Sequence, residues 1–307
     1  MLLTPPLVTS RTEERNRRTV EIDVVSTEEV LRLLNAEDAT VAQAVASVLP
    51  ELATVVDRIV ERLRAGGSVH YFGAGTSGRM GILDCAEVMP TFGLEHGIFV
   101  AHQAGGDTAL ANAVEDAEDD EALGVRDAAV VRAEDVVVGI TASGRTPYVA
   151  GALRRARLAG ALTVLVSCNP AAPLAGLVQH GVLVDTGPEA IAGSTRLKAA
   201  TAQKMVLNAL STAAMVRLGR TYSNLMASVS GSNAKLRQRQ LVILQEASGT
   251  RDDELCRAEL ARCGGDLRLA LLCLLSGLEP KVAADALADA GGSVRGALSR
   301  LSTAWRP

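Results

Sequence analysis

Residues 69–93 read VHYFGAGTSGRMGILDCAEVMPTFG, and this stretch decides the fold. A short, largely apolar run at 69–72 predicts a β-strand. The glycine-rich turn Gly73-Ala74-Gly75-Thr76-Ser77-Gly78 follows it, and residues 79–88 predict a helix. A strand feeding a helix through glycines presents backbone N–H groups at a helix N-terminus, where the dipole favours an anion. Thr76 and Ser77 add hydroxyls to that cradle. The turn also matches the dinucleotide pattern GxGxxG, but that fingerprint expects a carboxylate at the end of the second strand, about 20 residues on. The second strand here ends in His102 and Gln103, so direct phosphate binding fits better than a nicotinamide cofactor.

Working outward, the same grammar recurs. Runs at 98–101, 135–141, 163–167 and 181–185 alternate with helical segments near 108–123, 147–159 and 189–218. This rhythm predicts an α/β fold, a doubly wound five-stranded parallel sheet with helices on both faces. Ligands of such sheets bind beyond the strand C-termini. The 135–141 run ends in Thr141-Ala142-Ser143-Gly144-Arg145-Thr146-Pro147, a second hydroxyl-and-glycine turn with proline in the first turn of the next helix. Either turn alone reads equally as an ordinary capped helix start. Two in one sheet, each with an arginine, predict one ligand gripped from both sides by Gly75, Thr76, Ser77, Arg79, Ser143, Gly144, Arg145 and Thr146. A third cluster, Gly193-Ser194-Thr195-Arg196, adds Ser194 and, further on, Lys198; its alternative is a plain helical interruption.

Upstream, residues 1–24 read as an irregular arm. A capping box at Ser26-Thr27-Glu28-Glu29 starts a helix near 30–35, a second spans 39–48, and Leu52, Val55, Val56, Ile59, Val60 and Leu63 mark a third that Gly66-Gly67 ends. Beyond about 235 the texture becomes charged and Leu/Ala-rich, predicting a small helical bundle from segments at 252–263, 266–275 and 280–301, with no evident internal repeat. The expected division is 1–50 arm and helices, 51–235 catalytic phosphosugar domain, and 236–307 bundle.

Composition narrows the function. Aromatics are 2% of the chain, seven residues, too few for stacking platforms on bases or sugars. A net charge of −4 leaves no basic footprint for nucleic acid. No apolar run reaches the 18 residues a spanning helix needs, and the first residues lack the pattern of a secretory signal, so no membrane partner is expected. Five cysteines without a CxxC pair fit a reducing, cytoplasmic location. The four histidines show no metal-ligand spacing and read as structural. Two acidic features remain. Glu87, in otherwise apolar company and close to Pro90, reads as a misplaced carboxylate whose proton affinity burial would raise; its bland alternative is a surface acid at a helix end. The run Glu115-Asp116-Ala117-Glu118-Asp119-Asp120-Glu121 reads from pattern as a solvated face; its alternative is divalent-metal binding, against which the EF-hand spacing and its glycine are absent.

The turns GAGTSGRMGILD and GITASGRTPYVAGAL resemble the SIS (sugar isomerase) domain, which binds phosphosugars. The longer strings GAGTSGRMGILDCAEVMPTFG, AVEDAEDDEALG, SCNP, AIAGSTRLKAATAQKMVLNALST and YSNLM resemble the N-acetylmuramic acid 6-phosphate etherase family, over about residues 20–236 and more weakly beyond. The resemblance implies an SIS-type sheet and a homodimeric cytoplasmic carbon–oxygen lyase without metal or nucleotide. Such an enzyme eliminates D-lactate from C3 of N-acetylmuramate 6-phosphate after proton removal at C2, then adds water to give N-acetylglucosamine 6-phosphate, in amino-sugar and cell-wall recycling. It places the family's acid/base glutamates on Glu87 and on Glu118, not Glu115, which changes the reading of one member of the acidic run. Ala86 before Glu87 and Val88-Met89 after it depart from the family pattern, which touches the details of that helix end. The competing readings are a phosphosugar aldose–ketose isomerase and a non-catalytic sugar-phosphate sensor.

Overall fold

A computed structural model describes residues 10–112, 114, 116–229, 231 and 233–304. The chain divides into two compact units. One takes the residues up to Cys85 and Gly97–Ser211; the other takes Ala86–His96 and the residues from Thr212 onward.

The first unit holds the sheet. Five parallel strands, β1 (Val69–Gly73), β2 (Phe99–Gln103), β3 (Val136–Thr141), β4 (Leu162–Ser167) and β5 (His180–Leu183), lie in the order β2-β1-β3-β4-β5. Every residue of β1, β3 and β4 is buried, as a parallel sheet covered on both faces requires, and the flanking β2 and β5 are partly exposed. With so few aromatics, Val137, Val149, Leu153, Leu165 and a series of alanines fill one core around Phe72 and Tyr148. His70 and His102 bond to each other across β1 and β2 at 3.0 Å; burial lowers the proton affinity of both, His102 to about 4.

The decisive turn is built on close approach. Gly75 has φ +53° and opens the helix Gly75–Phe92, which starts a turn earlier than its periodicity predicts and runs through Pro90 to Gly93 at φ +58°. A Cβ on Gly78 would lie 2.6 Å from the Gly73 carbonyl oxygen and 2.0 Å from Gln103 Oε1. That carbonyl already accepts from the Ala104 N–H and cannot swing away. Gly78→Ala is therefore expected to lower the unfolding free energy by about 3 kcal/mol, the upper end of the overpacking range, read as a lower urea midpoint at constant slope.

Two helical segments differ from expectation for local reasons, and a third begins as predicted. The 108–123 segment is broken into Thr108–Ala111, Asp116–Asp119 and Glu121–Asp127, because Asn112 is extended and Asp120 restarts the chain as an N-cap, accepting from the Leu123 N–H at 2.8 Å. The 189–218 segment becomes Lys198–Arg217, because the Glu189 carboxylate folds back to accept from the N–H groups of Lys198 and Ala199, both at 2.9 Å. The first helix, Thr27–Asp38, begins as the capping box predicts, with Ser26 accepting from Glu29.

The second unit contains a duplication that the sequence reading missed. Cys263-Gly264-Gly265-Asp266-Leu267-Arg268-Leu269-Ala270-Leu271 corresponds to Ala290-Gly291-Gly292-Ser293-Val294-Arg295-Gly296-Ala297-Leu298. In each copy a helix ends at two left-handed glycines (φ +62° and +85°, then +62° and +83°), and the second glycine N–H reaches back to a leucine carbonyl, Leu260 or Leu287. The helix pairs are Asp253–Arg262 with Leu267–Ser276, and Pro280–Asp289 with Val294–Ala304. The glycine pairs, an arginine and a scatter of alanines and leucines persist between copies, too few identities to stand out without the matching backbone.

Candidate active site

Strand order sets where a ligand can enter. From β1 the chain moves outward to β2; from β3 it moves the opposite way, to β4 and β5. β1 and β3 are hydrogen-bonded neighbours with Gly73 level with Ile140, so their following turns leave one sheet edge side by side and diverge. A crevice opens at such a switch point. The two predicted turns are those two turns.

On the β1 side, Gly75, Thr76 and Ser77 form the first turn of the Gly75–Phe92 helix, whose leading N–H groups have no intrahelical acceptor. Thr76 is half-buried and Ser77 buried. Arg79 is anchored: its guanidinium donates to the carbonyls of Leu110, Ala109 and Asn112 at 2.8–3.0 Å, fastening the loop after β2 beside the helix. On the β3 side the hydroxyls form a directed chain. Thr141 Oγ1 accepts from the Gly144 N–H at 3.2 Å and lies 2.8 Å from Thr146 Oγ1, and Thr146 donates to Glu118 Oε1 at 3.2 Å. A hydroxyl has one proton, so with that of Thr146 on Glu118, Thr141 must donate to Thr146. Gly144 has φ +75°, and a Cβ there would meet Ala172 at 2.4 Å. Ser143 is half-buried, its carbonyl accepting from Asn169 Nδ2 at 2.9 Å and its hydroxyl from the exposed Arg145 N–H at 3.4 Å.

Gly75, Arg79, Gln103, Asn112 and Glu118 line one pocket of ≈120 Å³. Such a volume takes a polar fragment, not a whole sugar. Gln103 is 6% exposed and its Oε1 has no hydrogen-bond partner among the described residues, an acceptor left for a donor. Sequence reasoning gave no part to Gln103 or to Asn169. The former ended the second strand and the latter lay in SCNP, but neither type in isolation signals a site.

Two expectations need correction. Glu87 is exposed, and the buried carboxylate of its helix is Asp84, one turn earlier. Burial raises the proton affinity of Asp84, while Asn208, Tyr71 and Ser211 donate to it at 2.7, 2.9 and 3.0 Å. Lys198 is 1% exposed, with Nζ 2.8 Å from Glu37, which also takes two bonds from Arg18. This ion pair commits the ammonium to Glu37. Ser194 bonds within its own turn, beside a Gly193 whose N–H donates to Thr12. Glu115 lies outside the described residues.

Arg18, opposed by burial and helped by Lys198, holds the Glu37 carboxyl at about 2. A depressed acid stabilises the fold above its ordinary range, near 4.5, and that contribution is lost as pH falls toward 2. Lys198→Met leaves Glu37 buried with Arg18 alone and is expected to cost about 3 kcal/mol, the low end for a broken buried pair; the loss shrinks in acid unfolding titrations as Glu37 protonates.

Among the described residues no single helix is long and apolar enough to cross a membrane. Residues 51–157 match the glucokinase regulatory protein N-terminal SIS domain, and residues 109–213 match the SIS domain. The N-acetylmuramic acid 6-phosphate etherase of Thermobifida fusca is 57% identical over 270 residues, covering 88% of each chain. That of Rubrobacter xylanophilus is 50% identical, covering 94% of this chain and 95% of its own; that of Streptomyces coelicolor is 48% identical, covering 95% and 94%. Identity of this depth over nearly the whole length, on a sheet whose switch point carries both hydroxyl turns, makes this chain a member of the N-acetylmuramic acid 6-phosphate etherase family.

Proposed function

We propose that the chain cleaves the lactyl ether of N-acetylmuramic acid 6-phosphate with water, giving N-acetylglucosamine 6-phosphate and D-lactate. The observation that carries this reading is the convergence of the two turns on one crevice with a carboxylate, Glu118, bonded to the second. Thr76, Ser77 and the helix N-terminus take the 6-phosphate from one side, and Ser143, Gly144, Arg145 and Thr146 from the other, so binding energy remote from the reacting carbons holds them in place. A base removes the C2 proton of the open-chain sugar and an acid protonates the ether oxygen as the C3–O bond breaks. Lactate departs, and water adds to C3 of the unsaturated aldehyde. Two carboxylates suffice if one is protonated when the other is not.

Glu87 stands ten residues beyond Ser77 on one helix, roughly 15 Å along its axis, further than a hexose 6-phosphate reaches from its phosphorus to C2. The reading therefore takes the protein as a cytoplasmic homodimer in which Glu87 of one subunit serves the crevice of the other, while Glu118 serves its own. Purified protein incubated with N-acetylmuramate 6-phosphate should release D-lactate and N-acetylglucosamine 6-phosphate in equal amounts, with solvent ¹⁸O at sugar C3. Label on lactate would mean displacement at the lactyl carbon. Binding without turnover would favour a sensor, a reading open to the regulatory-protein domain matched at residues 51–157.

A further inference from the structure

All five cysteines are buried and none is in a disulfide. Two of them meet a carboxylate inside the second unit. Glu259 and Cys263 lie one turn apart at the end of the helix Asp253–Arg262, and Cys273 comes from the helix Leu267–Ser276. Cys263 Sγ is 3.8 Å from Cys273 Sγ and 3.8 Å from Glu259 Oε1, and the three donor atoms lie within 4.8 Å of one another. The residues are 7%, 4% and 6% exposed, respectively for Cys263, Cys273 and Glu259, and both cysteines belong to a buried cluster that is mostly leucine and alanine.

Thiols alone would pass as small hydrophobes. Glu259 adds a charge: one of its oxygens is paired with Arg262, while the other lies 3.8 Å from the Cys263 thiol. The duplicated helix pair supplies an internal comparison: the positions of Glu259 and Cys263 are taken in the second copy by Ala286 and Ala290. The same helix end is thus built with alanine at both positions, with Arg300 in the place of Cys273, and packing there demands neither a carboxylate nor a thiol. The spacing has a chemical meaning. A tetrahedral Zn²⁺ with sulfurs at about 2.3 Å holds them about 3.8 Å apart, and a carboxylate oxygen at about 2.1 Å falls about 3.6 Å from each sulfur. The second oxygen of Glu259 is held by Arg262 at 2.8 Å, and Arg262 is held by Glu279 at 2.7 Å. Such outer contacts fix a ligating carboxylate and leave its other oxygen facing the thiols.

We propose that Glu259, Cys263 and Cys273 form a site for one Zn²⁺-like divalent cation, with the fourth position left to an exogenous ligand. On binding, each thiol releases its proton to solvent as its sulfur–metal bond forms. The site clamps two helices of the second unit and takes no part in ether cleavage, so its fate is independent of the reading above.

Co²⁺ is the probe, added to the full-length reduced protein. One equivalent should produce the thiolate-to-cobalt charge-transfer band and the visible bands of a tetrahedral ion, both abolished by stoichiometric Zn²⁺. Cys263→Ser and Cys273→Ser should lose the charge-transfer band, Cys256→Ser should keep it, and the isosteric Glu259→Gln, which preserves shape should the cysteine variants fail to fold, should weaken Co²⁺ binding by about 10–100-fold. Absence of the band in the wild-type protein, its survival when both Cys263 and Cys273 are replaced, or unchanged affinity in Glu259→Gln would each overturn the proposal.

Discussion

Glu118→Gln is expected to lower the rate of lactate release by about 10²–10⁴-fold, the range for loss of a general acid or base. The substitution keeps the volume of the side chain, and its amide oxygen can still accept from Thr146, so the turn and its affinity for the sugar phosphate should survive. What disappears is the ability to gain or lose a proton at the atom that ends the Thr141–Thr146 chain. The loss should therefore sit in kcat, with KM within a few-fold of wild type. A loss confined to KM would make Glu118 a binding group and remove the chemistry assigned to it. Its exposed neighbours Asp116 and Asp119 are the internal controls: alanine at either should leave kcat close to wild type.

The second large effect concerns Glu87. Glu87→Gln alone should be as slow as Glu118→Gln, and the informative experiment mixes the two. If each crevice uses its own Glu118 and the other subunit's Glu87, a mixed dimer of the two variants contains one site with both glutamates and one with neither. Equal amounts, exchanged to equilibrium, form mixed dimers half the time, so about a quarter of wild-type activity should return. If both glutamates act from one subunit, every site in every dimer lacks one of them and no activity returns. The axial separation of Ser77 and Glu87 favours the first outcome.

The sheet was legible in the sequence because parallel strands buried on both faces are continuous β-branched runs, and β3 and β4 fall within a residue of their predicted limits. The turns were legible because a glycine at positive φ leaves a local signature, as at Gly75 and Gly144. What failed was side-chain fate. Lys198 is a candidate ligand group by its place after a hydroxyl cluster, but its partner Glu37 is 161 residues away and nothing local announces the pairing. The apolar company around Glu87 was real in sequence, yet helical phase gives the burial to Asp84, three positions earlier, and turns Glu87 to the outside. Gln103 escaped notice because an orphaned acceptor is a property of packing, not of residue type.

Asp84 carries one more implication. Midway along the helix that the glycine turn opens and that carries Glu87 near its end, it is fastened by three donors from β1 and the helix Lys198–Arg217. It pins the middle of that helix to the sheet through a buried carboxylate. Asp84→Asn, which trades one acceptor oxygen for a donor, would set an N–H against donors that all point inward and is expected to lower the urea midpoint.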